Sequence, residues 1–173
     1  PEDPRRPELR GDLEEIELPP GGHIRDLCPL PRELREAVRS QLDRTTAAAK
    51  TDLAALLGRN DPPGIAWLTA LEARATPAQI QQWLRSSDPA RPDNNYLVLV
   101  CETGALIAHL LQTRHPRLRW LEAFPYFESS LFDLNRMTLI PVFHWAVKLL
   151  SGDDRQPLRD KIGALAHFLA DED

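Results

Sequence analysis

An α+β fold, a mainly helical body carrying a small antiparallel β-sheet, follows from three features of the sequence. After Pro31, apolar residues recur at three- and four-residue steps over most of the chain. Between about residues 118 and 141 the period switches to two, which predicts about three strands. Residues 96–111 are apolar on both sides of a helical projection, so the sheet is expected to pack on a central helix. The 173 residues suit one domain. The expected division is a Pro-rich acidic segment over residues 1–30, extended or partly disordered, and one globular α+β domain over 31–173.

Seven of the sixteen prolines fall before residue 32, and proline's missing donor and fixed φ forbid a continuous helix there. Asp12–Leu18 alternates enough for a short strand. Pro31 suits a first helical position, and Leu34, Val38, Leu42, Thr45, Ala49, Leu53 and Leu56 then form one stripe, stopped by Gly58. Ile65–Ala75 follows Pro62-Pro63-Gly64 as a second helix. Thr76-Pro77 reads as an N-cap with a first-turn proline, opening a third helix through Ile80, Trp83 and Leu84. Residues 86–95 are a loop.

The fourth helix, Asn95–Arg114, places Leu97, Val100, Gly104, Ile107, Ala108 and Leu111 on one face, and Gly104 with Ala108 there admits close approach of another backbone. Leu118, Trp120, Glu122 and Phe124 alternate with Arg119, Leu121 and Ala123 as a strand. Ser129–Phe132 and Met137–Ile140 flank a hairpin turn over Asp133–Arg136, with Asn135 suited to positive φ. Val142–Leu150 and Pro157–Ala170 are the last helices, the second with Leu158, Ile162, Leu165, Ala166 and Leu169 on one stripe.

The net charge of −5 is unevenly spread: residues 1–22 carry a net −4, the last three residues −3, and the body between them +2. No basic stripe appears, which argues against nucleic acid as a partner, because phosphate contacts supply most of that affinity. The acidic ends are either solvated tails or a surface offered to a basic partner. The apolar run 96–111 is short for a membrane span and contains Glu102 and His109, so no membrane is expected. The acidic, Pro-rich start lacks the basic-then-apolar pattern of a secretory signal, and the expectation is a cytoplasmic protein. Cys28 and Cys101 are too few for a disulfide scaffold, and no histidine pair has ligand spacing, so neither a metal nor a cofactor is expected.

Seven of the eleven aromatics (Trp120, Phe124, Tyr126, Phe127, Phe132, Phe143 and Trp145) lie within residues 120–145. Core packing is the default fate of such residues. Trp and Tyr are also enriched at binding hot spots, and consecutive strand residues point to opposite faces, so one of Tyr126 and Phe127 is expected to meet solvent or a partner. Tyr126, Phe127, Trp145 and Glu128 are the candidate partner-binding residues.

Candidates for acid–base chemistry are weaker. Glu102 and His109 lie two helical turns apart, about 10 Å along the axis, on one face. Glu102 in an apolar run needs a partner, for which Arg119, Lys148 or a backbone amide would serve. His144 and Lys148 at i and i+4, with Glu122, offer a further acid–base cluster. Cys101, in an apolar setting, has no readable histidine partner.

From Tyr96 onward, an apolar helix containing Glu102-Thr103-Gly104 leads to a strand with Trp120, then Pro141, Lys148 and Gly152. Over residues 96–170 this order resembles small bacterial domains, some of which accompany secreted toxins as immunity proteins. The resemblance implies a cytoplasmic bacterial binding protein whose partner is an enzyme it blocks. Together with the absence of a catalytic motif, it gives the expected function: a non-enzymatic protein-binding domain, of the immunity type, with a toxin or a second copy of itself as partner. The alternatives are a small hydrolase-like enzyme with a cleft built on Glu102, His109 and His144, and a structural dimerising subunit.

Overall fold

A computed structural model of the chain describes residues 13–15, 17–18, 20–23, 27, 30–91, 94–151 and 157–170. Cys28, the acidic C-terminal residues and most of the Pro-rich segment lie outside the described residues. The fold is α+β. Its elements run β1 (Glu14–Glu15), α1 (Arg32–Leu57), α2 (Ile65–Arg74), α3 (Pro77–Ser86), α4 (Asn95–Arg114), β2 (Arg119–Leu121), β3 (Ser130–Asp133), β4 (Thr138–Ile140), α5 (Val142–Ser151) and α6 (Leu158–Ala170).

The periodic stripe of α1 is its buried face: Val38, Leu42, Thr45, Ala49 and Leu53 all point inward. Pro31 stands one residue outside the helix as its N-cap, and Gly58 ends it at φ 63°, the left-handed conformation that a Cβ disfavours. The Thr76 hydroxyl accepts from Gln79 N at 3.3 Å, with Pro77 at the first helical position. Asn94 caps α4, its side-chain oxygen accepting from Tyr96 N at 3.0 Å and Leu97 N at 3.2 Å.

Helix α4 is the centre of the molecule. It packs chiefly against α1 and α5, with α3 alongside. By length and hydropathy it is the helix that passes as a membrane span among the described residues, yet most of it is covered by its neighbours. Its predicted stripe is buried except at the N-terminal end, where Leu97 emerges to solvent. Gly104 is where α5 crosses: a Cβ there would stand 3.1 Å from the Phe143 Cα and closer still to its ring. Burial of this kind is the main favourable term, roughly 25 cal/mol per Å² of apolar surface removed from water.

The sheet is antiparallel with order β1–β4–β3–β2. Three strands fall within the expected interval, and β1 adds a fourth at the edge by pairing with β4, Glu14 opposite Leu139. Trp120, Leu131 and Ile140 stand in register on the inner face, against the α4–α5 pair. Leu121 and Ser130, paired across β2 and β3, and Leu139 on β4 belong to the outer face.

Two local expectations need correction. The strand from Leu118 stops at Leu121, because Pro125 has no N–H to offer a ladder and the chain leaves the sheet in a cis Phe124–Pro125 bond and a 3-10 turn over Tyr126–Glu128. In the β3–β4 hairpin the positive φ falls at Met137 (49°), not Asn135. The Asp133 carboxylate accepts from Asn135 N at 3.1 Å, which holds Asn135 in an Asx turn and defers the reversal.

Candidate functional site

Two regions gather the side chains to which the sequence draws attention, one inside the fold and one on its surface. The inner region is the seam between α1 and α4. Burial places Glu102 at 5% exposure, and its neighbour is Asp52 of α1, a second carboxylate rather than Arg119, Lys148 or a backbone amide. Arg119 instead turns back onto the carbonyls of Pro116 and Leu118. Loss of water, then the Asp52 hydrogen bond and charge, push the Glu102 carboxyl up to about 8, so at neutral pH it is a protonated acid donating to Asp52.

Beside it, the Tyr126 hydroxyl faces Cys101 and Thr45, joining the 3-10 turn to both helices. Burial raises the Tyr126 hydroxyl to about 12, and burial likewise raises the Cys101 thiol. A protonated, half-buried thiol is a poor nucleophile. His109, half-buried, is lowered by burial and by the charge of Lys50.

The outer region is a cleft of about 240 Å³ at the end of the sheet, where β2 stops, β3 begins and β4 passes into α5. Leu121, Phe127, Leu139, Pro141 and Phe143 line it with apolar groups, and Glu128, Ser129, Ser130 and His144 with polar ones. The loop that carries Phe127 is fixed by its own hydrogen bonds. Glu128 N donates to Pro125 O at 2.9 Å and Ser129 N to Tyr126 O at 3.0 Å, while the Ser129 hydroxyl accepts from Ala123 N at 3.0 Å and donates to Ala123 O at 3.3 Å. The Ser129 hydroxyl is thus a structural brace.

Behind the loop, rings form a continuous stack into the core: Phe127 edge-on to Tyr126 (centroids 5.7 Å), Tyr126 edge-on to Phe143 (6.0 Å), and Phe143 stacked on Trp120 (6.0 Å). At the end of β2, Glu122 is buried and ion-paired with Arg39 of α1, which removes it from any cluster with His144.

The predicted residues therefore divide. Phe127 and Glu128 stand at the cleft and Phe127 is 42% exposed; Tyr126, its neighbour, turns inward. Trp145, expected at a partner surface, is 0% exposed and belongs to the core, with the Lys161 ammonium 5.8 Å from its ring centroid. Glu102, His109 and His144 do not converge: His144 lines the cleft, and the other two do not.

Sequence reasoning missed Phe124, the most exposed of the clustered rings at 65%, and Asp52, which carried no signal as one polar residue within a long amphipathic helix. Ser130 and Leu139 follow from strand register once the inner face is known. Among the described residues, no three His, Cys, Asp or Glu side chains are grouped as metal ligands. No family model matches the chain, and no curated protein or solved structure is significantly similar to it.

Proposed function

We infer that this chain is a protein-binding domain that holds another polypeptide at the aromatic turn 124–128 and the adjoining cleft, with an immunity-type inhibitor as its particular form. The observation that carries this reading is the presentation of Phe124 and Phe127, 65% and 42% exposed, on a loop fixed by four hydrogen bonds and backed by stacked rings. Exposed rings on a mobile loop would lose their entropy on binding; these are already ordered, so less is lost when a partner covers them. The acid–base groups that an enzyme would use are instead dispersed between the α1–α4 seam and the cleft, and that favours recognition over catalysis.

The test is affinity capture from the source cell with the parent chain and a Phe124→Ser, Phe127→Ser variant. A specific partner should be retained by the parent and depleted by about tenfold or more with the variant, as for loss of hot-spot rings. For the inhibitor form, the captured partner's own activity should fall on stoichiometric addition of the parent. Equal recovery of every partner by both chains overturns the reading.

A further inference from the structure

Resting on that reading, we propose that the basic turn between α4 and β2 is a second contact for the same partner, and that it takes an acidic stretch of that polypeptide. The sequence supplies the charge. From Thr103 to Leu121 there is no Asp or Glu, and Arg114, Arg117 and Arg119 fall within six residues.

The fold gathers these side chains. Arg114 ends α4, His115 is its C-cap, and Arg119 opens β2. Arg119 folds back onto the carbonyls of Pro116 and Leu118, neutral groups that leave its charge intact. Burial, then the charges of Arg117 and Arg114, hold the His115 imidazole below the usual histidine range, so both guanidinia stand around the one turn.

Opposing charge falls short. Asp133, 1% exposed, meets Arg117 at 3.4 Å. Among the described residues no carboxylate pairs with Arg114 or Arg119, and both are exposed. The α4 C-terminus offsets only about half a charge more, so the turn stays positive.

Position and size decide the occupant. Arg119 and Leu121 share one face of β2, about 7 Å apart, and Leu121 lines the cleft beside Phe127. A protein interface covers about 800 Å² per partner, so one that covers the turn 124–128 reaches the basic turn as well. Guanidinium forks match carboxylates of such a partner in pairs. Nucleic acid would ask for a longer run, since its strong binding takes about 6–10 phosphate contacts.

Three probes test the assignment at low salt: acetyl-tetraglutamate-amide, acetyl-tetralysine-amide and an oligothymidylate of four phosphates. Each is titrated into the isotope-labelled full chain and followed by NMR of arginine Nε–H and backbone amide groups. Tetraglutamate should shift the Arg114 and Arg119 signals at millimolar concentration and leave Arg85, an exposed arginine of α3, in place. Arg114→Gln with Arg119→Gln should weaken binding, read at the His115 amide, by about two- to tenfold, within the span of two exposed ion pairs. In the affinity capture, Arg114→Glu with Arg119→Glu should deplete the same protein that the serine variant loses. An equal shift at Arg85, an equal response to tetralysine, tighter binding of the oligothymidylate, or undiminished capture overturns the proposal.

The two readings fail separately. Capture that depends on Phe124 and Phe127 but not on the arginines ends the acidic-segment assignment and leaves protein binding in place. Equal capture by the serine variant, combined with tetraglutamate shifts confined to the basic turn, ends the aromatic-turn reading and with it the shared partner.

Discussion

At the α1–α4 seam, Glu102 is 5% exposed and meets Asp52; in the turn between β2 and β3, Glu128 is exposed and meets no described partner. The same contrast holds for rings. Tyr126 turns into the seam toward Cys101 and Thr45, while Phe127, the next residue, turns out to the cleft. Similar side chains thus do opposite work within one short stretch. Inside, polar groups satisfy each other, and the cost of burying them appears as shifted proton affinity. Outside, polar and apolar groups are held in place facing water. The difference teaches that the 120–145 aromatic cluster is two sets of residues, one that builds the core and one that the core presents.

Substituting one ring from each set breaks the comparison most sharply. Trp145→Ala removes a fully buried ring and should cost about 3–5 kcal/mol, read as a lower denaturation midpoint at unchanged slope. Phe124→Ala, at a 65% exposed site, should fall within about 0.5 kcal/mol of the parent. Equal costs would show that the division into core and presented rings is mistaken.

The next effect tests how the core carries the presented set. Phe143 touches Gly104 on α4, stacks on Trp120, meets Tyr126 and lines the cleft. Gly104→Ala forces a Cβ into the Phe143 backbone and ring, where only outward movement of α5 gives room. Overpacking of this kind costs about 1–3 kcal/mol. Because Phe143 also backs the cleft, the amides of Ser130 and Leu139 should move in the same variant. Unchanged stability would mean that the helices separate freely and that α4 does not position the cleft.

Much of this architecture was legible in the chain, and the limits are physical. The α1 stripe, the Thr76-Pro77 helix start and the close approach at Gly104 each depend on local geometry: a period of 3.6, a cap, a missing Cβ. The Asp12–Leu18 alternation likewise marked β1. Partners distant in sequence were not legible. Nothing local to Glu102 points to Asp52, fifty positions earlier, because that meeting is set by how α1 and α4 pack. Trp145 reads the same as Phe127 in a list of aromatics, and only the arrangement of α5 against α4 and α6 decides that one is sealed and the other open. The turn 124–128 escaped a period-two reading because its shape comes from Pro125 and the Ser129 brace.

The smallest expected effect lies in the seam and depends on pH. In the folded chain Glu102 keeps its proton up to about pH 8, against an ordinary value of 4.5. Between those values the folded state binds more protons than the unfolded one, so rising pH favours unfolding. The Glu102 contribution is therefore fully present below about pH 4.5, declines as pH rises, and is lost above about 8, with a slope of at most ~1.4 kcal/mol per pH unit. Glu102→Gln keeps a donor for Asp52 and removes the titration. Parent and variant should have matching stability near pH 5, and the variant should become progressively the more stable as pH rises to 8, measured by denaturant unfolding. Parallel profiles for parent and Glu102→Gln would mean that water reaches Glu102 freely, and the distinction between a closed seam and an open cleft would fail at the residue where it is drawn most strongly.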